Sequence, residues 1–131
     1  MSFQGPRLQK WEKRLKRVFD EIDDVLEERY GGDYPLHPSR PERGATSNRE
    51  HDGLFNIGAA FSAGYGSEHG RGYVVEVRMS TLVGVEESVK QQLEEEVVDL
   101  LREKLPIAFP GRELQVLRDG SMYKIAGDLS F

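Results

Sequence analysis

The sequence predicts an α+β fold: a two-layer α/β sandwich, element order αββαββ, in which two helices cover one face of a four-stranded, mainly antiparallel sheet. Three observations predict it. Two stretches carry apolar residues at intervals of three and four, two others alternate apolar and small or polar residues about turn-forming glycines, and 131 residues suit one core. Residues 1–131 therefore read as one domain.

The first helix is predicted over residues 7–29. Leu8, Trp11, Leu15, Val18, Ile22 and Val25 fall on one stripe, which Phe19 and Leu26 widen. Pro6 suits a first helical position, where its missing N–H costs nothing, and Gly31-Gly32 offers a left-handed residue to stop the helix. Residues 33–52 lose all periodicity among Pro35, Pro38, Pro41, Gly44, Ser39 and Ser47 and read as a long polar loop.

Alternation starts in the segment 53–81. Phe55, Ile57, Ala59, Phe61 and Ala63 point one way, and Asn56, Gly58, Ala60, Ser62 and Gly64 the other. After a turn over 65–70, Tyr73, Val75, Val77 and Met79 alternate with Val74, Glu76, Arg78 and Ser80, completing a hairpin. Val85, Val89, Leu93, Val97, Leu101 and Leu105 return to helical spacing, so a second helix is predicted over 85–105, ending at Pro106. Within 112–131 a second hairpin is expected, with a tight turn at Asp119-Gly120 and Tyr123, Ile125, Leu129 and Phe131 on one face.

Composition removes whole classes of function. With no cysteine, disulfides, thiolate metal sites and thiol nucleophiles are excluded. No apolar run approaches a bilayer span and the first residues lack the order of a signal peptide, so the expected location is the cytoplasm, without membrane attachment. A net charge of −5 argues against a chain-wide nucleic-acid footprint while leaving room for a local basic patch. His37, His51, Asp52 and His69 lack metal-ligand spacing, and no serine sits in a nucleophile elbow, so neither a metal nor any other cofactor is called for.

The loop holds most of the candidate chemistry. His37, Arg40, Arg43, Ser47, Asn48, Arg49 and His51 combine guanidinium forks with neutral hydrogen-bonding groups, which suits an anionic small molecule or a partner protein. The small-residue face of the first hairpin leaves room for this loop to fold over it, bringing its arginines to Asn56 and Arg78. A non-catalytic binding or interaction domain is the reading this favours. A small enzyme with His37 or His51 as general base and an arginine anion clamp is the competing class.

Helix one has cations Arg7, Lys10, Lys13, Arg14, Lys16 and Arg17 in its first half and acids Asp20, Glu21, Asp23, Asp24, Glu27 and Glu28 in its second. This layout opposes the helix dipole. Two copies lying antiparallel would match each basic half to an acidic half, with Leu8, Trp11, Leu15, Val18, Ile22 and Val25 as the seam of a homodimer. The same basic half is the one place where nucleic acid could be gripped, a third reading that the overall charge disfavours.

Overall fold

The structure is a computed structural model that describes residues 5–130. Phe131, assigned by alternation to the last strand, lies outside the described residues. The elements are helix α1 (Pro6–Tyr30), a 3-10 turn (Arg49–His51), strands β1 (Phe55–Ser62) and β2 (Gly72–Met79), helix α2 (Glu87–Ala108), and strands β3 (Leu114–Asp119) and β4 (Met122–Gly127). The order αββαββ and the α+β class are as the residue pattern predicts.

The four strands form one antiparallel sheet in the order β1-β2-β4-β3. The β1–β2 hairpin pairs over its full length, from Phe55 opposite Met79 to Ser62 opposite Gly72. Two register pairs, Tyr73–Ile125 and Val74–Lys124, join β2 to β4. Because β4 lies between them, β2 and β3 run parallel without being neighbours, and the α2 connection spans a strand.

One continuous core holds the layers together. Trp11, Leu15, Val18, Phe19, Ile22 and Leu26 from α1 meet Leu93, Val97, Val98, Leu101 and Leu105 from α2 over Phe55, Ile57, Tyr73, Val116 and Ile125 of the sheet. All five sheet residues share one face by the period of two, so both helices cover the same side. Each fully buried aliphatic or aromatic side chain contributes about 1.5–3 kcal/mol.

Three local expectations are corrected. Helix α2 continues through Pro106 to Ala108, because a proline in the last turn removes one N–H while the Phe109 N–H still reaches the Leu105 carbonyl at 2.9 Å. Gly31 does not end α1 with a left-handed residue: its φ is −58°, and the position needs glycine because a Cβ would collide with the carbonyl and side chain of Glu27. The second hairpin turns one residue later than expected, with Asp119 opposite Met122 and Gly120-Ser121 as its loop. Gly120 has φ +65° and Ser121, like every non-glycine among the described residues, has no positive φ, the pattern of a type II′ turn.

Candidate anion-binding site

The long loop is structured, and its arginines are turned inward. Arg40 donates through Nε to the Gly53 carbonyl at 3.0 Å and through Nη2 to the carbonyls of Glu50, Asp52 and Phe55 at 2.6, 3.1 and 3.2 Å. Arg43 lies among three carboxylates, with Nη1 2.9 Å from Asp23 and 3.3 Å from Asp52 and Nη2 on Asp24. Arg49 reaches Asp24 at 3.3 Å. Instead of folding over the small-residue face of β1, the loop is fastened along the acidic half of α1. There Glu27 also accepts the Leu54 N–H at 3.0 Å.

Burial governs the titration of this cluster. Asp23 is 1% exposed, and desolvation, opposed by Arg43 and reinforced by Glu27 and Asp24, pushes its carboxyl from 3.8 up to about 7. Burial also works against the charge of Asp52, but donation from the Thr46 N–H and hydroxyl, with Arg43 beside it, holds that carboxyl below its ordinary value. Among the described residues no group of three or more histidines, aspartates and glutamates is arranged to hold a metal ion.

The remaining loop candidates are dispersed. Asn48 caps the 3-10 turn by accepting the Glu50 N–H at 3.1 Å, and it accepts from Lys16 at 3.3 Å. His37 is tied into its own turn, Nδ1 accepting the Ser39 N–H at 3.1 Å, while its N–H donates to the Ser80 carbonyl at 2.8 Å. Ser47 and His51 are exposed. Asn56 and Arg78 are partners in the β1–β2 register, and Arg78, largely exposed, pairs with Glu76 at 3.4 Å. Arg78 also borders a cleft of about 500 Å³, with Met79, Val83, Lys90 and Leu93. The nine residues expected to form one ligand site therefore do not converge, because Arg40 is held by the chain's own carbonyls and Arg43 and Arg49 by its own acids.

The expected dimer seam is likewise turned inward. Trp11, Leu15, Val18 and Ile22 are buried at 4% exposure or less, and Leu8 and Val25 are partly buried. The apolar stripe faces the chain's own sheet, the burial that a one-sided helix in a globular fold needs. The acidic half of α1 is also engaged, Asp20 by Lys16, Glu21 by Lys104, and Asp23 and Asp24 by Arg43. An antiparallel match of charged halves would have to displace these pairs.

Sequence reasoning passed over a buried ion pair on the opposite sheet face. Lys124, 2% exposed, donates to Asp119 at 2.9 Å and to the Gly70 carbonyl at 2.7 Å. Asp119 also accepts the N–H groups of Glu68 and His69 at 3.2 and 3.1 Å. The bond from Lys124 leads in holding its carboxyl down at about 2. This pair pins the β1–β2 turn to the second hairpin. Only the presence of a lysine and an aspartate in one hairpin hinted at it.

What is left open is the basic half of α1. Arg7, Lys10, Trp11 and Arg14 form a cleft of about 260 Å³ with Phe109 and Arg112, which follow α2. The Trp11 and Phe109 rings lie 4.2 Å apart at its floor, the Arg112 guanidinium 5.7 Å from the Trp11 centroid and that of Arg14 5.9 Å from the Phe109 centroid. Arg14 donates to the Ala108 carbonyl at 3.3 Å, and Arg112 to the carbonyls of Asp128 and Ser130. Among the described residues no ion pair engages Arg7, Lys10, Lys13, Arg14 or Arg17, and the first turn of α1 carries no acid. Clustered cations here repel one another and the positive end of the helix dipole, and an anion relieves both. The sequence marked this half of the helix but not Arg112, nearly a hundred positions away.

Comparison with known proteins gives kinship without an activity. A family described as "Uncharacterised protein" matches residues 6–127. An "Uncharacterized protein" of Borreliella burgdorferi is 36% identical over 121 residues, covering 92% of this chain and 94% of that protein. No solved structure matches.

Proposed function

The chain belongs to this family of uncharacterised proteins, and we propose that it is a non-catalytic binding module that takes an anionic ligand or partner in the cleft of Arg7, Lys10, Arg14 and Arg112. The observation that carries the proposal is the contrast between the two halves of α1. Four of its acids are engaged by Lys16, Arg43 and Lys104, whereas Arg7, Lys10 and Arg14 converge on a cleft without an ion pair of their own among the described residues, beside Arg112, which the Asp128 carboxylate meets at 3.6 Å. In a chain of net charge −5, such a local concentration of positive charge favours binding of an anion from outside.

The proposal relocates the anion site from the loop to the helix. It leaves out the small-enzyme reading, since no hydrogen bond or ion pair joins the imidazole of His37 or His51 to an arginine side chain among the described residues. It also leaves out the homodimer built on the helix stripe, which is buried.

Thermal unfolding with inorganic pyrophosphate tests it. A ligand at a hundred times its dissociation constant stabilises by about 2.7 kcal/mol, so the melting temperature should rise with pyrophosphate beyond any rise with sodium chloride of equal ionic strength. The double variant Lys10→Ala/Arg14→Ala should lose that increment while melting normally without ligand. An equal increment in the variant, or none in the native chain, refutes the proposal.

A further inference from the structure

The cations of the cleft continue beyond it. Arg7, Lys10, Arg14 and Arg17 succeed one another at three- and four-residue steps, a row about 15 Å long at the helical rise of 1.5 Å per residue. Such a row matches a chain of regularly spaced charges better than one small ion. It stops at Asp20 and Glu21, so a rigid duplex laid along the helix would meet acids within the next turn, whereas a single strand can turn away.

A file of rings starts at the same end of the molecule. Phe109 meets Trp11 at 4.2 Å, Trp11 meets Tyr73 at 5.8 Å, and Tyr73 meets the edge of Phe61 at 5.6 Å. The inner three are buried, but Phe61 is 57% exposed at the end of β1. Exposed Arg71 precedes Gly72, which pairs with Ser62 beside that ring, and takes part in no ion pair among the described residues. Phe61 stands two ring contacts from Trp11, with Glu12 beside the intervening Tyr73, and an uncovered aromatic ring together with a row of cations is what unpaired bases need, since every base has a face to stack and every linkage a phosphate to neutralise.

We propose that the occupant of this surface is single-stranded nucleic acid, its phosphates along Arg7, Lys10, Arg14 and Arg17 and one base stacked on Phe61. This rests on the anion-binding reading above and adds the class of ligand. An acidic polypeptide would use the cations but leave Phe61 without a role.

Fluorescence anisotropy of the full chain with a short labelled oligothymidylate tests it, with a duplex of the same length and polyglutamate as competitors. Four phosphate contacts predict a roughly fifty-fold loss of affinity between about 50 and 200 mM salt, falling to about seven-fold in Arg7→Ala/Lys10→Ala. Phe61→Leu, which keeps an apolar side chain against Tyr73, should weaken the single strand about ten-fold and leave the pyrophosphate increment untouched. A duplex or polyglutamate competing as well as the single strand, or indifference to Phe61→Leu, overturns the inference while a pyrophosphate increment keeps the anion reading alive. Failure of both pyrophosphate and oligothymidylate removes both.

Discussion

Asp23→Asn should flatten the pH dependence of stability on the neutral side. Burial beside Glu27 and Asp24 raises the Asp23 carboxyl from 3.8 to about 7, so the folded chain holds a proton there that the unfolded chain has released. A raised carboxyl stabilises fully below the unfolded value and loses that contribution as pH climbs through the folded one. The window is therefore about pH 4 to pH 7. Carried through the linkage relation, a shift of this size corresponds to about 4 kcal/mol, and screening by the water that reaches exposed Asp24 and Arg49 reduces it to about 2 kcal/mol. Urea unfolding across that window, followed by the fluorescence of Trp11, the one tryptophan and 3% exposed, measures it directly. The native chain should lose about 2 kcal/mol more than Asp23→Asn between the two ends. Parallel profiles would refute the reasoning. Below about pH 4 the lowered carboxyls of Asp52 and Asp119 act in the opposite sense, and both chains should weaken together as these are protonated.

Two further outcomes test the packing. Leu15→Asp should unfold the chain, seen as lost helical circular dichroism, because Leu15 is 4% exposed in the core; a folded, soluble variant would return the stripe to the surface. Gly64→Ala should cost about 2 kcal/mol or more in denaturant unfolding, since Gly64 has φ +82° and a methyl there would overlap the Gly70 backbone; an unchanged midpoint would mean that the β1–β2 turn rearranges freely.

Periodicity carried most of the architecture because its causes are local. The stripe from Leu8 to Val25 and the alternation from Phe55 to Met79 are each set by one element burying one face, and both can be read within a short window. Strand order could not be read so, since two residue pairs, Tyr73–Ile125 and Val74–Lys124, decide that β4 rather than β3 joins the first hairpin. Pro106 misled because its effect depends on how many hydrogen bonds follow it, and so near the helix end few are at stake.

The candidate site divides in the same way. Arg40 and Arg43 were recognisable as groups that seek oxygen, yet nothing in their spacing said that the oxygens belong to Gly53, Asp52 and the turn of α1 at Asp23 and Asp24. The basic half of α1 could be seen as a charge layout opposed to the dipole. That Asp23 and Asp24 are engaged, while Arg7, Lys10 and Arg14 carry no ion pair among the described residues, needed the loop in place. Phe61 was assigned to the core face, as alternation demands, and only the limited reach of the helices leaves it bare.

The place of β4 bears on how the molecule assembles during synthesis. The third and fourth strands by position in the sheet, β4 and β3, are made in the reverse order, and the inner one emerges after residue 121. Until then the free edge of β2 at Tyr73 and Val74 has no neighbour, and Lys124 is not yet there to hold the Gly70 carbonyl. A nascent chain halted before β4 would present a sticky, half-built sheet, so cooperative closure waits for the final ribbon. Truncation within it should be far more damaging than the small number of residues removed would suggest.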